Sequence, residues 1–241
     1  CGAGLGSSLF EAVAAEDAFR HGWTVDFLTS QPKCALLKSF GFLGAVEHLP
    51  QNIDWAVYGR VVCLGLPKIP VPADLRGDFR AADRVKHDYN QLPHTEYWRH
   101  LLGDCLEYEP SSDSVSLPFA VDRNAEDWAR GLWEASRPTV VVNHSAISYL
   151  KLYRAWDQVM EELQKERPEL RIVAVGQGSP GRAFPSEVLD LSSRTDLQQL
   201  VAVIARASVV VGTDGLATNL AMVLGRPAVV VATAARPARK A

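Results

Sequence analysis

One run, residues 195–231, sets what this chain can fold into. TDLQQLVAVIARASVVVGTDGLATNLAMVLGRPAVVV reads as helix, strand, tight turn, helix, strand, which is a βαβ unit of a parallel sheet. Residues 208–212 form a continuous apolar stretch, as expected for a strand covered by helices on both faces. It ends at Thr213-Asp214-Gly215, where the second helix begins. An acidic residue and backbone N–H groups then stand at the carboxyl end of a strand, where open α/β sheets bind ligands and helix N-termini attract phosphate. The competing reading of Asp214 is an ordinary helix cap. The local pattern favours neither.

The rest of the chain repeats the theme. Residues 7–21 place Leu9, Phe10, Val13, Ala14 and Phe19 roughly at helical spacing, which predicts an amphipathic helix with Ser7 or Ser8 as N-cap and Gly22 as its stop. Strands are predicted at 23–29, 46–49, 54–58 and 60–64, with a short helix opened by Pro32 and running to residue 40. After a loop marked by Pro67, Pro70 and Pro72, residues 74–88 read as a charged helix. Residues 93–103 read as an amphipathic helix ended by Gly103, 110–118 as a surface loop, and 124–136 as a helix. Arg137-Pro138 then introduces a fresh strand at 139–142. It is followed by helix 153–167, strand 171–175, a glycine-rich loop at 176–181, a short strand near 188–191, and the run above. The predicted fold class is α/β, with two Rossmann-like domains. The N-terminal domain covers 1–120, a linker 121–138, and the C-terminal domain 139–241. The chain opens on Cys1-Gly2-Ala3-Gly4-Leu5-Gly6 with no strand before the glycines, so the first strand of the first domain is expected to be missing.

Composition removes several function classes. Of 241 residues, 47% are hydrophobic and 22% charged, enough for a substantial core in an ordinary globular protein. A formal net charge of −3 without a long basic run argues against nucleic acid as a partner. Cys1, Cys34, Cys63 and Cys105 are widely spaced, which fits a reducing cytosol better than a disulfide framework or a zinc site. No apolar run reaches the roughly 18–20 residues that span a bilayer, and no signal peptide is visible. A cytoplasmic location is expected, with at most peripheral contact at the inner face of the membrane.

The wording of the 195–231 run goes beyond generic α/β. It resembles the nucleotide-sugar-binding segment of glycosyltransferase family 9, the bacterial heptosyltransferase-like enzymes of lipopolysaccharide assembly. That family has a strand, then Asp-Ser/Thr-Gly-x-x-His-Leu, an Ala-rich helix, and Leu-Gly-x-Pro before another apolar strand. Here the run is Asp214-Gly215-Leu216-Ala217-Thr218-Asn219-Leu220, then Leu224-Gly225-Arg226-Pro227. The order of other pieces agrees. Gly6-Ser7-Ser8-Leu9-Phe10 is similar to the family's Gly-Asp-x-Leu turn, and Val25-Asp26-Phe27-Leu28-Thr29 to its second strand. The stretch from Asn143-His144-Ser145 to Lys151 resembles the loop that carries its phosphate-binding lysine.

The resemblance implies the two-domain GT-B architecture and an inverting transfer of heptose or a related sugar. The donor is a nucleoside-diphosphate sugar, an ADP-sugar being favoured, and the acceptor a cell-surface glycan or lipopolysaccharide-type glycolipid. No further cofactor and no metal are implied. Ser145, Lys151, Thr213, Asp214, Gly215 and Asn219 are the implied donor-binding residues. The departing diphosphate gains negative charge that a cation or helix N-terminus must meet, a task the resemblance gives to Lys151 and the backbone at Asp214-Gly215. The acceptor hydroxyl needs a general base. Where the family supplies an Asp, this chain has Ser7, and Asn219 stands at the family's His. The catalytic base is thus unassigned, with Asp17, Asp26, His87 and His94 as unranked candidates.

Three other readings compete. A catalytically degenerate GT-B-like protein would bind a nucleotide sugar, or regulate a partner, without turnover. Gly2-Ala3-Gly4-Leu5-Gly6-Ser7 with Asp26 about 20 residues on imitates a dinucleotide fingerprint, but Ser7 replaces the third glycine and the preceding strand is absent. Serine-hydrolase chemistry has little support, because Gly178-Ser179-Pro180-Gly181 lacks the spacing of a nucleophile elbow.

Overall fold

A computed structural model describes residues 5–48, 54–63, 79–81, 94–111, 117, 119–134, 136–146, 149–178 and 183–233. The chain divides into two compact units, Cys1–Phe119 and Ala120–Ala241.

The first unit runs α1 (Leu5–Arg20), β1 (Phe27–Thr29), α2 (Gln31–Leu37), β2 (Val46–His48), a 3-10 turn at Trp55–Val57, β3 (Val61–Cys63), β4 (Phe79–Ala81) and α3 (His94–Leu106). β1 pairs in parallel with β2, Phe27 opposite Val46, and β3 with β4, Val61 opposite Phe79. α1 packs on α3, and its alanines explain how: Ala14 and Ala18 are fully buried against Leu102 and Leu106, with Trp98 and Tyr108 alongside. Small side chains on one helix let large ones on the other reach its backbone.

Several expectations change here. α1 begins at Leu5, so Ser7 and Ser8 lie inside the helix rather than capping it. Ser8 is fully buried, and packing holds the helix where capping preference would have started it later. Only residues 27–29 of the 23–29 segment pair as a strand. Before them, the Asp26 carboxylate accepts the Ala45 N–H at 2.7 Å, and a side chain replaces a ladder bond. The 54–58 segment is a 3-10 turn. Phe79–Ala81 is a strand where a helix was expected over 74–88, because pairing with β3 outweighs local propensity; the remainder of that segment lies outside the described residues. α3 continues past Gly103 and stops where Glu107 takes φ 63°, the left-handed cap. Gly103 is needed for packing instead: a Cβ there would lie 2.7 Å from the Tyr108 carbonyl oxygen. In the expected 110–118 surface loop, Leu117 is buried.

The second unit runs α4 (Arg123–Leu132), β5 (Thr139–Asn143), a 3-10 turn at Tyr149–Lys151, α5 (Trp156–Glu166), β6 (Arg171–Val175), β7 (Leu189–Asp190), α6 (Leu197–Ala205), β8 (Val209–Thr213), α7 (Leu216–Val223) and β9 (Ala228–Val231). Its five strands are all parallel, in the order β7-β6-β5-β8-β9. Every residue of central β5 is buried. On one side Val140 and Val142 meet Trp156 and Met160 of α5 together with Ile172 and Ala174 of β6. α4 packs on α6, its first turn capped by Asp122, which accepts the Ala125 N–H at 2.9 Å. The chain leaves β5 toward β6 on one side and β8 lies on the other. The carboxyl ends of β5 and β8 therefore flank the topological switch point, where such sheets open a crevice.

Candidate functional site

At that switch point the structure brings together residues far apart in sequence. Lys151 closes the 3-10 turn that follows β5, and Asp214 follows β8. Lys151 Nζ lies 2.9 Å from Asp214 Oδ2 and also donates to the Asp214 carbonyl at 3.2 Å. Both side chains are one-third exposed, so the pair sits at a surface that a ligand can reach.

Thr213, Gly215 and Asn219 belong to the same corner. Thr213 is buried at the end of β8. Gly215 is the N-cap of α7 and has no side chain to cap with. Thr218 supplies the cap from within, its hydroxyl accepting the Gly215 N–H at 3.2 Å and lying 3.2 Å from the Thr213 carbonyl that it can donate to. Asn219 is buried in the first turns of α7, its N–H donating to the Gly215 carbonyl. No acidic residue occupies the first turn of α7, and Asp214 directly precedes its Gly215 N-cap.

Ser145 lies on the β5–β6 side and is engaged differently. Its Oγ accepts the Gln177 N–H at 2.9 Å, pinning the loop after β6. Gly176 has φ 143°, and a Cβ there would fall 2.6 Å from Ser145 Oγ, so only glycine fits this position. The same loop is held from its far side by Ser193, at φ 56°, whose Oγ accepts the Gly178 N–H and whose own N–H donates to the Gly176 carbonyl. His144, which sequence reasoning passed over, completes this side. Its Nε2 is 2.7 Å from Ser192 Oγ and its ring meets Phe184 edge-on. Burial pushes its pKa down, opposed by nearby Asp190, and the ring is a neutral hydrogen-bonding group. Its place directly after an apolar strand was the available signal.

The residues considered for a base fall in the first unit. Ser7 lies within α1. Asp17 is fully buried, its Oδ1 accepting from Arg99 Nη2 at 3.5 Å and the Ser111 N–H at 3.3 Å. Asp26 is held by Ala45. His94 is the first residue of α3, and His87 lies outside the described residues. Among the described residues, no group of three or more His, Cys, Asp or Glu could hold a metal ion, and no helix is long and apolar enough to cross a membrane.

The fold has clear counterparts among solved structures. The E. coli heptosyltransferase WaaC with ADP superposes with a TM-score of 0.67 at 15% identity, over 94% of this chain and 83% of that one. The glycosyl transferase family 9 structure from Veillonella parvula DSM 2008 gives 0.72 at 11% identity, over 95% and 78%. E. coli ADP-heptose lps heptosyltransferase II gives 0.64 at 15% identity, over 94% and 80%. No curated protein matches by sequence. The architecture is the GT-B type of these enzymes. The model of glycosyltransferase family 9 (heptosyltransferase) matches residues 63–240, and the chain belongs to that family.

Proposed function

We propose that this chain is an inverting glycosyltransferase, moving heptose or a related sugar from a nucleoside-diphosphate donor to a hydroxyl of a cell-surface glycan or lipopolysaccharide-type acceptor. The observation that carries the reading is the Lys151–Asp214 pair beside the N-terminus of α7. An ion pair as open to solvent as this one contributes about 0–1 kcal/mol. A charge-assisted hydrogen bond from Lys151 to a phosphate is worth about 1.5–3 kcal/mol. Lys151 can offer a diphosphate the same kind of bond that it now gives Asp214, and the α7 N-terminus adds a second positive end for the charge that develops on the leaving group. An ADP-sugar is the favoured donor, since solved relatives of this fold are described with ADP and with ADP-2-deoxy-2-fluoro heptose.

A second reading, donor binding without transfer, is favoured by the first unit. Ser7 stands where the family has its Asp, and Asp17 and Asp26 are committed to structural hydrogen bonds. Loss of a general base costs about 10²–10⁴ in rate.

Calorimetric titration with ADP, UDP and GDP tests the site. One nucleoside diphosphate should bind selectively, and Lys151→Ala should weaken it about tenfold or more. Equal binding by the variant moves the site elsewhere, and no binding by a folded sample overturns the reading. With a bound donor identified, sugar release or transfer by the wild type supports the transferase, and its absence supports the binding protein.

A further inference from the structure

His144 and Ser145, adjacent at the end of β5, are joined by a closed circuit of hydrogen bonds through two segments distant in sequence. Ser145 Oγ accepts the Gln177 N–H at 2.9 Å. The next residue of that loop, Gly178, donates its N–H to Ser193 Oγ at 2.9 Å, and the Ser193 N–H returns to the Gly176 carbonyl at 2.8 Å. Ser192, beside Ser193, closes the circuit. Its Oγ lies 2.7 Å from His144 Nε2, and its N–H donates to Asp190 Oδ1 at 2.9 Å.

Ser193 is the member that local chemistry does not explain. It sits in the turn between β7 and α6, which the Arg194 N–H closes on the Leu191 carbonyl at 3.0 Å, and its φ is 56°. At the third residue of a turn a positive φ calls for glycine. Glu107, the other non-glycine residue at positive φ among the described residues, ends a helix. Ser193 ends none, and what it has that glycine lacks is the hydroxyl that holds Gly178. The loop after β6 is rich in glycine, yet the N–H groups of Gln177 and Gly178 are both occupied by serine hydroxyls, which leaves neither for a phosphate. What the circuit leaves available is the Ser145 hydroxyl. It is half-buried, accepts from Gln177, and has no acceptor for its own proton among the described residues.

We propose that Ser193 is a positioning residue of the donor site, fixing the 176–178 loop so that Ser145 presents its hydroxyl proton to the nucleoside-diphosphate donor. This rests on the donor-binding reading above. Ser145 stands at the start of the stretch that leads from β5 to Lys151, so the two groups serve the same end of the sheet. A serine hydroxyl rotates to suit its partners, and the Gln177 N–H on one lone pair restricts where the proton can point. A loose loop would let that restriction lapse, and binding would then bear the entropy of ordering the hydroxyl again. Backbone strain of the kind seen at Ser193 clusters at ligand sites.

A double-mutant cycle, titrated calorimetrically with ADP, UDP and GDP, tests this. Ser193→Gly keeps the turn and relieves its strain, so urea melts should show the variant about as stable as the wild type. Its affinity for the preferred diphosphate should nevertheless fall about three- to tenfold, which a serine that served stability alone would not produce. Ser145→Ala should weaken binding by at least as much. In that background Ser193→Gly should have no further effect, because it acts through Ser145. Equal affinity in Ser193→Gly, or the same loss in both backgrounds, overturns the proposal and leaves the donor reading standing. No binding by the folded wild type overturns both.

Discussion

His144 shows how one residue couples the site to solution conditions. Buried beside Ser192, it has its pKa pushed below the ordinary 6.5, so the native ring stays neutral at a pH where an unfolded chain's histidine already takes up a proton. The stability it contributes is complete above about pH 6.5 and is lost as pH falls toward the lowered native value. Glu11 has the opposite slope, since burial pushes its carboxyl up despite Lys33 nearby, and its contribution is lost as pH rises. Comparing wild type with His144→Gln cancels Glu11. Urea melts at about pH 7.5 and about pH 5.5 should show a smaller pH difference in the variant; an unchanged difference removes His144 as the cause. Gly176→Ala makes a sharper residue-scale test. It places a Cβ at a left-handed φ and 2.6 Å from Ser145 Oγ, which should destabilise the second unit by about 1–3 kcal/mol in the same melts. Asp214 was placed at a strand end by the apolar run before it, whereas Lys151, eight residues beyond β5, was singled out only by the resemblance to the family's loop. The role of Gly176 was not legible, because its crowding comes from Ser145, 31 positions away in the chain.

At the scale of elements, legibility followed how much of the signal was local. β5, β6 and β8 were readable as short apolar runs, since a strand buried on both faces has no other composition available to it. α6 was readable too, and its start is set by a capping box: Asp196 accepts the Gln199 N–H at 2.8 Å while Gln199 Oε1 accepts the Asp196 N–H at 3.0 Å. Asp196→Ala should cost about 1 kcal/mol of stability, measured by denaturant unfolding; no loss would show that burial of Val201 to Ile204 alone fixes the helix. The first unit was harder to read. Its paired strands are three residues long, below the length at which alternation becomes visible, and partners decide them. Phe79–Ala81 has helix-compatible neighbours in sequence but β3 in space. Ser7 and Ser8 carry cap chemistry, yet the alanine-lined packing of α1 on α3 absorbs them into the helix.

At the scale of the whole molecule, each unit carries its own core, one built on α1 and α3 and the other on the five-stranded sheet. Their stabilities therefore answer to different perturbations. Arg99 is buried with Asp17 and also donates to the Ser111 carbonyl, joining α3, α1 and the segment after α3. Removing one partner of a buried pair leaves the other charge uncompensated, typically at about 3–5 kcal/mol. Arg99→Ala should accordingly weaken hydrogen-exchange protection in residues 5–20 and 94–106 and leave β5, β6 and β8 protected. A bound nucleoside diphosphate should do the reverse. At about 100 times its Kd, a ligand that binds only the folded form stabilises by about 2.7 kcal/mol, and the gain should appear in the second unit, where the proposed site at Lys151 and α7 lies. Loss of protection in both units on Arg99→Ala would show that the first core supports the second. Ligand protection confined to the first unit would place the donor away from the β5–β8 switch point and remove the proposed site.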